Sequence, residues 1–424
     1  MPIAVFDAIR GNLQTLLGGA RVSLVRQEGG EELPEGSLRQ EMVIDDISYL
    51  FTACRPAVSF TKTEEIFCGE LLAAFSALFS GFRHAEYAAH FRTALLASLT
   101  DISVARFLRG DHRKAFWPIQ QLIQLLKNLS YQRYEGKPAT TGFLIHRTKL
   151  PDLRRRVQGQ KCRWFELHPH QPIAADFFDT PLTYRFVDGT NSLFVGNIQM
   201  QITGVIKVDP FTGLNEVDRL THQGLFRLLN YAGSGAFAIK VNEASEIEVI
   251  ISPDKLLVRR RGQWEIFDPD IFRTFLAGSF PEDATEDLIW TLYALSKTRH
   301  GTVVLIHEGR TRDLAALKRG SVGGDDPLGR MLMGRVQGKH LCLLKQSGEL
   351  GRLLSSDGMT VFSSRGKLLE TGLIIDTSHA QSVVTGGGRT TAASAASYFG
   401  KVIKVSEDGP IELFRAGKRI YRFG

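Results

Sequence analysis

The chain has 424 residues, 43% of them apolar and 23% charged, the balance of a globular protein with room for two or three domains at ~150 residues each. Lys and Arg outnumber Asp and Glu by 52 to 45, a formal charge of +7, so where the excess sits matters more than its size. The four cysteines, Cys54, Cys68, Cys162 and Cys342, include no CxxC spacing, which argues against a disulfide framework or a zinc knuckle and fits a reducing compartment.

The opening residues 1–7 lack the basic segment, apolar run and cleavage site of a signal peptide. The longest apolar stretch, from Leu71 to Phe82, is shorter than the ~20 residues a membrane-spanning helix needs. The chain is therefore read as cytoplasmic, with no membrane partner. Residues 1–150 are expected to form a mainly helical, sensory region. Leu71, Leu72, Phe75, Leu78 and Phe79, and later Ile119, Leu122, Ile123, Leu125 and Leu126, carry the spacing of buried helical faces. A β-rich piece is expected between Met42 and Phe60. His84, His90 and Arg92 read as a solvated helix face, since no acid or cysteine recurs at ligand spacing.

Residues 151–280 change to a β-rich α+β signature, also read as sensory. Residues 193–195 and 198–206 alternate as half-buried strands, and 236–241, 247–251 and 256–260 read as three more. The runs Arg154-Arg155-Arg156 and Arg259-Arg260-Arg261 suit solvated edges better than phosphate grips. His168-Pro169-His170 reads as a surface turn rather than part of a metal site. There is one internal echo: residues 228–232 followed by 235–239 parallel 292–296 followed by 301–306, each a helix end, a glycine and a buried strand. Two copies of a common connection do not by themselves establish a repeat.

From Gly301 to Gly424 the chain holds 20 of its 41 glycines but only 6 of its 40 aromatics. Basic residues there number 18 against 11 acidic ones, so the whole charge excess lies in this module while residues 1–300 balance. Glycines allow close backbone approach and a positive field favours a polyanion, which points to a phosphate-bearing ligand. Sparse aromatics argue against a nucleic-acid partner, because stacking platforms are missing.

Three segments of the module carry chemistry. In the first, Asp357-Gly358-Met359 sets a carboxylate before a glycine at a strand start. There it can bind a divalent metal or orient a hydroxyl for attack, although Asp-Gly is also a common turn dipeptide. In the second, Thr385-Gly386-Gly387-Gly388-Arg389-Thr390-Thr391-Ala392-Ala393 runs glycines into a small-residue helix. Its N–H groups, the Arg389 guanidinium and two hydroxyls make a phosphate cradle; the alternative is a flexible loop before an alanine-rich helix. No GxxxxGK[ST] pattern is present, so it is not a Walker A loop. In the third, residues 402–409 and 411–418 read as a strand, an acidic turn and a return strand, with Ser406 and Glu407 at the strand end.

Taken in order, these segments resemble the diadenylate cyclase (DAC) domain, over residues from about Asp283 to the C-terminus. Asp357-Gly358-Met359 resembles the family's Asp-Gly-Ala motif, Arg389-Thr390-Thr391 its Arg-His-Arg motif, and Ser406-Glu407-Asp408 its Ser-Glu-Glu turn. The resemblance implies an α/β multidomain chain whose residues 281–424 form a mixed β-sheet flanked by helices, behind the helical and β-rich regions. It implies two ATP condensed into cyclic di-AMP, with release of two pyrophosphates, by a homo-oligomer whose DAC domains meet face to face. Carried over, the catalytic residues are Asp357, Arg389 and Glu407, with Asp357 and Glu407 holding Mg or Mn. The nucleotide would be bound by Gly358, Met359, Gly387, Gly388, Arg389, Thr390, Thr391 and Ser406.

The departures also have consequences. Thr390 and Thr391 replace a histidine and an arginine, and a neutral residue at a phosphate contact costs ~1.5–3 kcal/mol of charge-assisted hydrogen bonding. Lys404, Arg365 and Arg415 are the cations that would compensate. Met359 stands where the family has a small alanine and would narrow the pocket. A degenerate nucleotide or cyclic-dinucleotide sensor is thus the alternative to a working cyclase.

Overall fold

The structure is a computed structural model that describes residues 2–26, 36–44, 46–82, 89–158, 162–174, 176–208, 216–251, 254–310, 313–322, 326–377 and 387–424. His84, Thr385 and Gly386 lie outside the described residues, as do the side chains of Leu78, Phe79, His90 and Arg92. The fold is mixed α/β with several sheets. It divides into two units, Met1–Cys54 with Phe60–Leu214 and His222–Asp268, and Arg55–Ser59 with Asn215–Thr221 and Pro269–Gly424.

The first unit opens with α1 (Pro2–Leu16) and a three-stranded antiparallel sheet of β1 (Arg21–Arg26), β2 (Leu38–Ile44) and β3 (Ile47–Cys54) in the order β1-β3-β2. The β-rich stretch expected near Met42 is part of this sheet. Phe6, Ile9, Leu13 and Leu16 recur at helical spacing along α1 and are buried. Helices α2 (Lys62–Phe82), α3 (Ala89–Arg109) and α4 (Trp117–Ser130) follow. A capping box starts α2: Glu64 Oε2 accepts the Thr61 N–H at 2.9 Å, and Thr61 Oγ1 accepts the Glu64 N–H at 3.3 Å.

After a short hairpin of β4 (Arg133–Tyr134) and β5 (Lys137–Pro138), an eight-stranded sheet begins. Its strands are β6 (Thr141–His146), β7 (Cys162–Pro172), β8 (Ser192–Asn197), β9 (Gln201–Val208), β10 (Phe237–Val241), β11 (Ile247–Ile251), β12 (Lys255–Arg260) and β13 (Gln263–Phe267). Helices α5 (Leu150–Gln158) and α6 (Pro181–Phe186) flank β7, α7 (Glu216–Leu220) belongs to the second unit, and α8 (Gln223–Ala232) leads into β10. β6 precedes residue 150 yet is a central strand of this sheet.

Two sequence expectations change here. Arg259 and Arg260 are neither a solvated edge nor a phosphate grip. Arg259 Nε lies 3.2 Å from the fully buried Asp101, and Arg260 Nε donates to Glu246 at 2.7 Å inside the protein. Lys127 and Trp264 also converge on Asp101, at 2.9 and 2.7 Å, so the network ties together helix and sheet that are distant in sequence. His168 and His170 lie in the extended, exposed strand β7 rather than in a turn.

The second unit holds α9 (Pro269–Leu276), α10 (Glu282–Lys297), β14 (Thr302–His307), α11 (Leu314–Leu317), β15 (Lys318–Ser321), α12 (Pro327–Val336), α13 (Leu341–Gln346) and α14 (Leu350–Leu354). It ends with β16 (Met359–Ser363), β17 (Leu368–Ile375), α15 (Gly388–Ala396), β18 (Gly400–Val405), β19 (Ile411–Arg415) and β20 (Lys418–Phe423). Its sheet order is β15-β17-β16-β14-β18-β19-β20. The first unit's sheet reads β7-β9-β8-β6-β10-β11-β12, with β13 added at the edge. In each, the central strand is parallel to one neighbour, β6 to β8 and β14 to β16, and every other pair is antiparallel. The echo in the sequence therefore pairs the wrong elements: it sets β10 against β14, whereas β10 holds the place of β18 and β14 that of β6.

Candidate functional site

Strand direction gathers the site. β14 starts beside the start of its parallel partner β16, where Val303 pairs with Met359, and beside the end of antiparallel β18, where Thr302 pairs with Val405. The turns before β14, before β16 and after β18 therefore open on one edge of the sheet. α15, packed on β14, β18 and β19, precedes β18, and Arg389, its second residue, reaches the turn after that strand.

Asp357, Arg389 and Glu407, which are far apart in sequence, meet at this edge. Arg389 Nη1 donates to Glu407 Oε1 at 2.5 Å, and Nη2 lies 3.8 Å from Asp357 Oδ1. The two carboxylate side chains are 68% and 84% exposed. Solvated pairs of this kind contribute only ~0–1 kcal/mol, so little holds the guanidinium against a stronger acceptor such as a phosphate. Gly387 and Gly388 are exposed at the head of α15, where helix N–H groups favour an anion. Gly358 has φ +88°, and a Cβ there would stand 2.5 Å from the Gly372 backbone, so only glycine fits this turn.

Other sequence candidates are placed differently. Met359 is 2% exposed and belongs to the core, so its side chain does not face the open edge. Thr390 is also buried, and its hydroxyl accepts from Lys404 Nζ at 2.7 Å. Lys404 donates in turn to Glu412 at 2.7 Å, as does Arg419. Burial would raise the Glu412 pKa, but these two cations outweigh it and hold the carboxyl below its usual value. Thr391 and Ser406 are half-buried, and Ser406 closes its turn by accepting the Gly409 N–H at 2.9 Å.

None of the compensating cations reaches the edge. Lys404 is committed inside, Arg365 follows the far end of β16 and Arg415 is the last residue of β19, both away from the strand ends that carry the acids. Two residues given no role from sequence do stand there. Arg299 Nη1 donates to the Asp408 carbonyl in the acidic turn. Gly301 leaves room for the cluster: a Cβ on it would lie 2.7 Å from Arg389 Nη1 and 3.0 Å from Glu407 Cγ. Their signal was position, since both sit in the joint that leads into β14.

A cavity of about 340 Å³ is lined by His300 and Ser355, close in sequence to Gly301 and Asp357, and further by Leu295, Thr298, Leu350 and Arg352. Lys345, also on its wall, is bound to Asp287 at 2.7 Å and to Asp218 at 3.5 Å. Burial alone would depress the Lys345 pKa, but the two carboxylates raise it overall.

For a hard cation such as Mg or Mn the donors should be oxygen, and Asp357 and Glu407 satisfy that. The ligand atoms of Asp283, His340 and Cys342 also lie within 4.8 Å of one another, but a thiol and an imidazole do not suit these ions. Burial, with the Asp283 and Asp287 carboxylates, pushes the Cys342 thiol up to about 12. No helix among the described residues is long and apolar enough to cross a membrane.

Protein-family profiles give no match to the chain, and no curated protein matches it. Among solved structures, a hypothetical membrane spanning protein from Bacillus cereus aligns at 15% identity over 37% of this chain and 70% of that one. The TM-score is 0.28, too slight a likeness to carry an argument about fold or activity.

Proposed function

We propose that the second unit is a diadenylate cyclase-type domain that condenses two ATP into cyclic di-AMP, with the first unit in a regulatory role. The observation that carries this reading is the meeting of Asp357, Arg389 and Glu407 on one glycine-lined edge. In the reaction, the 3′-oxygen of each ATP bonds to the α-phosphorus of the other. Each α–β bridging P–O bond breaks, and two pyrophosphates and two protons leave. Asp357 orients the attacking hydroxyl, Arg389 leaves Glu407 for the phosphates, and the head of α15 receives the remaining charge. Arg299 and His300 add donors at the same edge. Asp357 and Glu407 would hold Mg or Mn, which when bound supplies charge neutralisation at the phosphates. Each chain offers half of a two-nucleotide reaction, so the active form is a homo-oligomer with facing domains. The setting consistent with this reading is cytoplasmic.

The second reading, a nucleotide or cyclic-dinucleotide sensor without turnover, is favoured by one observation: Thr390 faces inward to Lys404, leaving Arg389 as the motif's sole cation. Incubation with ATP and Mn²⁺, followed by mass spectrometry, separates the two. A cyclic dinucleotide supports the cyclase; ATP bound but unchanged under both Mn²⁺ and Mg²⁺ supports the sensor.

A further inference from the structure

We infer that the chain carries one fold twice, and that the stretch from α4 to β12 is a copy whose ligand edge has been closed by its own turns. Register supports this as well as strand order. Ile145 of β6 pairs with Phe237 of β10, and Ile306 of β14 with Lys401 of β18; Ile239 pairs with Val249, and Ile403 with Leu413. The helices agree too: α4 packs on β10 and β11 as α10 packs on β18 and β19, and α8 packs on β10 and β11 as α15 does on β18 and β19.

The sequence follows that register. Thr141, Leu144, Ile145 and His146 of β6 match Thr302, Leu305, Ile306 and His307 of β14. Without a gap, Ile239-Lys240-Val241, Glu243 and Ile247-Glu248 match Ile403-Lys404-Val405, Glu407 and Ile411-Glu412. Even an oddity recurs: Thr141 and Thr302, each first in its strand, bury a hydroxyl that has no hydrogen-bond partner.

The copies differ at the edge where ligand groups stand in the second unit. Before β8, Asp188 Oδ1 accepts the N–H groups of Thr190, Asn191 and Ser192 at 2.8, 2.7 and 3.0 Å. Its Oδ2 accepts from the Asn191 side chain at 2.7 Å. By register Asn191 holds the place of Asp357, so this position too is engaged. After β10, Asn242 in the place of Ser406 accepts from the Ala244 and Glu246 N–H groups at 2.9 and 3.0 Å. At the head of α8, where α15 has exposed glycines and Arg389, the buried His222 meets Glu248 at 2.9 Å. This edge keeps Glu243 exposed in the place of Glu407, but it sets an amide, Asn191, where Asp357 stands and a buried His222–Glu248 pair at the head of α8, so it lacks the paired acids a metal would need. The copy is a scaffold, and nucleotide binds once per chain. That count rests on the function proposed above; the closed edge does not.

The test compares D188A and D357A in the full chain, by thermal melting and by equilibrium binding of a non-hydrolysable ATP analogue with Mn²⁺. D188A should lower the melting temperature and still bind one analogue, while D188N, which keeps an acceptor oxygen, retains most of the stability. D357A should melt as the wild type and bind the analogue at least ten-fold more weakly. A D188A protein that melts unchanged, or a second bound analogue that survives R389A, would overturn the inference. If the wild type binds no analogue, the proposed function fails, and the melting comparison still decides whether the first edge is closed.

Discussion

The two sheets put the same strand ends at the same edge and use them in opposite ways. In the second unit Asp357 and Glu407 stand in solvent around Arg389, and their turns are built on glycine. In the first unit Asp188 and Asn242 spend their side chains on neighbouring backbone N–H groups. An acid that accepts three N–H groups stabilises its loop but cannot also serve a ligand, whereas an exposed acid contributes little to folding and stays available. Stability and chemistry should therefore separate cleanly between the copies.

The largest effect is expected at Asp357. D357N should reduce cyclic-dinucleotide formation by roughly two to four orders of magnitude, if orienting the hydroxyl is its role, with melting unchanged; comparable turnover would break the contrast. R389A removes a charge-assisted contact worth ~1.5–3 kcal/mol, so kcat/KM should fall by about ten- to a hundred-fold, measured by pyrophosphate release. G301A should act through the same group by displacing the guanidinium, with a smaller loss of activity.

Next come the stability effects. Removing the Asp188 carboxylate takes the acceptor from three N–H groups, those of Thr190 and Asn191 exposed and that of Ser192 part-buried, a cost of ~0.5–1.5 kcal/mol read from denaturant midpoints. Burial would raise the Asp188 pKa, but the N–H groups of Thr190, Ser192 and Asn191 outweigh it and the folded value is depressed. A depressed folded pKa adds stability above the unfolded carboxylate range and loses it as pH falls through the folded value. Wild-type stability should thus decline in acid, and D188A should show a shallower decline, visible in melting curves recorded from neutral to acidic pH. The smallest effect sharpens the comparison from the other side. T391R, at a half-buried position, should raise turnover modestly, while T390H should only destabilise, because its site is filled by the Lys404–Glu412 pair.

The parts of this account that were legible in sequence are those carried by local chemistry. Asp357-Gly358, Gly388-Arg389 and Ser406-Glu407 each announce a turn or helix start with a charged group, and the sheet brings them together. Which way a neighbour points was not legible. Thr390 and Met359 face inward because of the helix phase and strand face on which they fall, and Lys404 is buried because Glu412 lies opposite it in the hairpin. The run Arg259-Arg260-Arg261 looks like surface charge throughout until Asp101 is seen to bind Arg259 and Glu246 to bind Arg260, leaving only Arg261 exposed. The repeat was legible in part: a helix end, glycine and strand recur wherever an α-to-β joint occurs, so that echo misassigns the register. The ungapped match of Ile239-Lys240-Val241 with Ile403-Lys404-Val405 carries the true one.

The central claim, that the open edge of the second unit makes cyclic di-AMP, is tested most directly by counting products. Wild-type protein with ATP and Mn²⁺ should release two pyrophosphates for each cyclic dinucleotide detected by mass spectrometry, and D357N should release neither. Nucleotide bound without product, or equal product from D357N, would contradict the account.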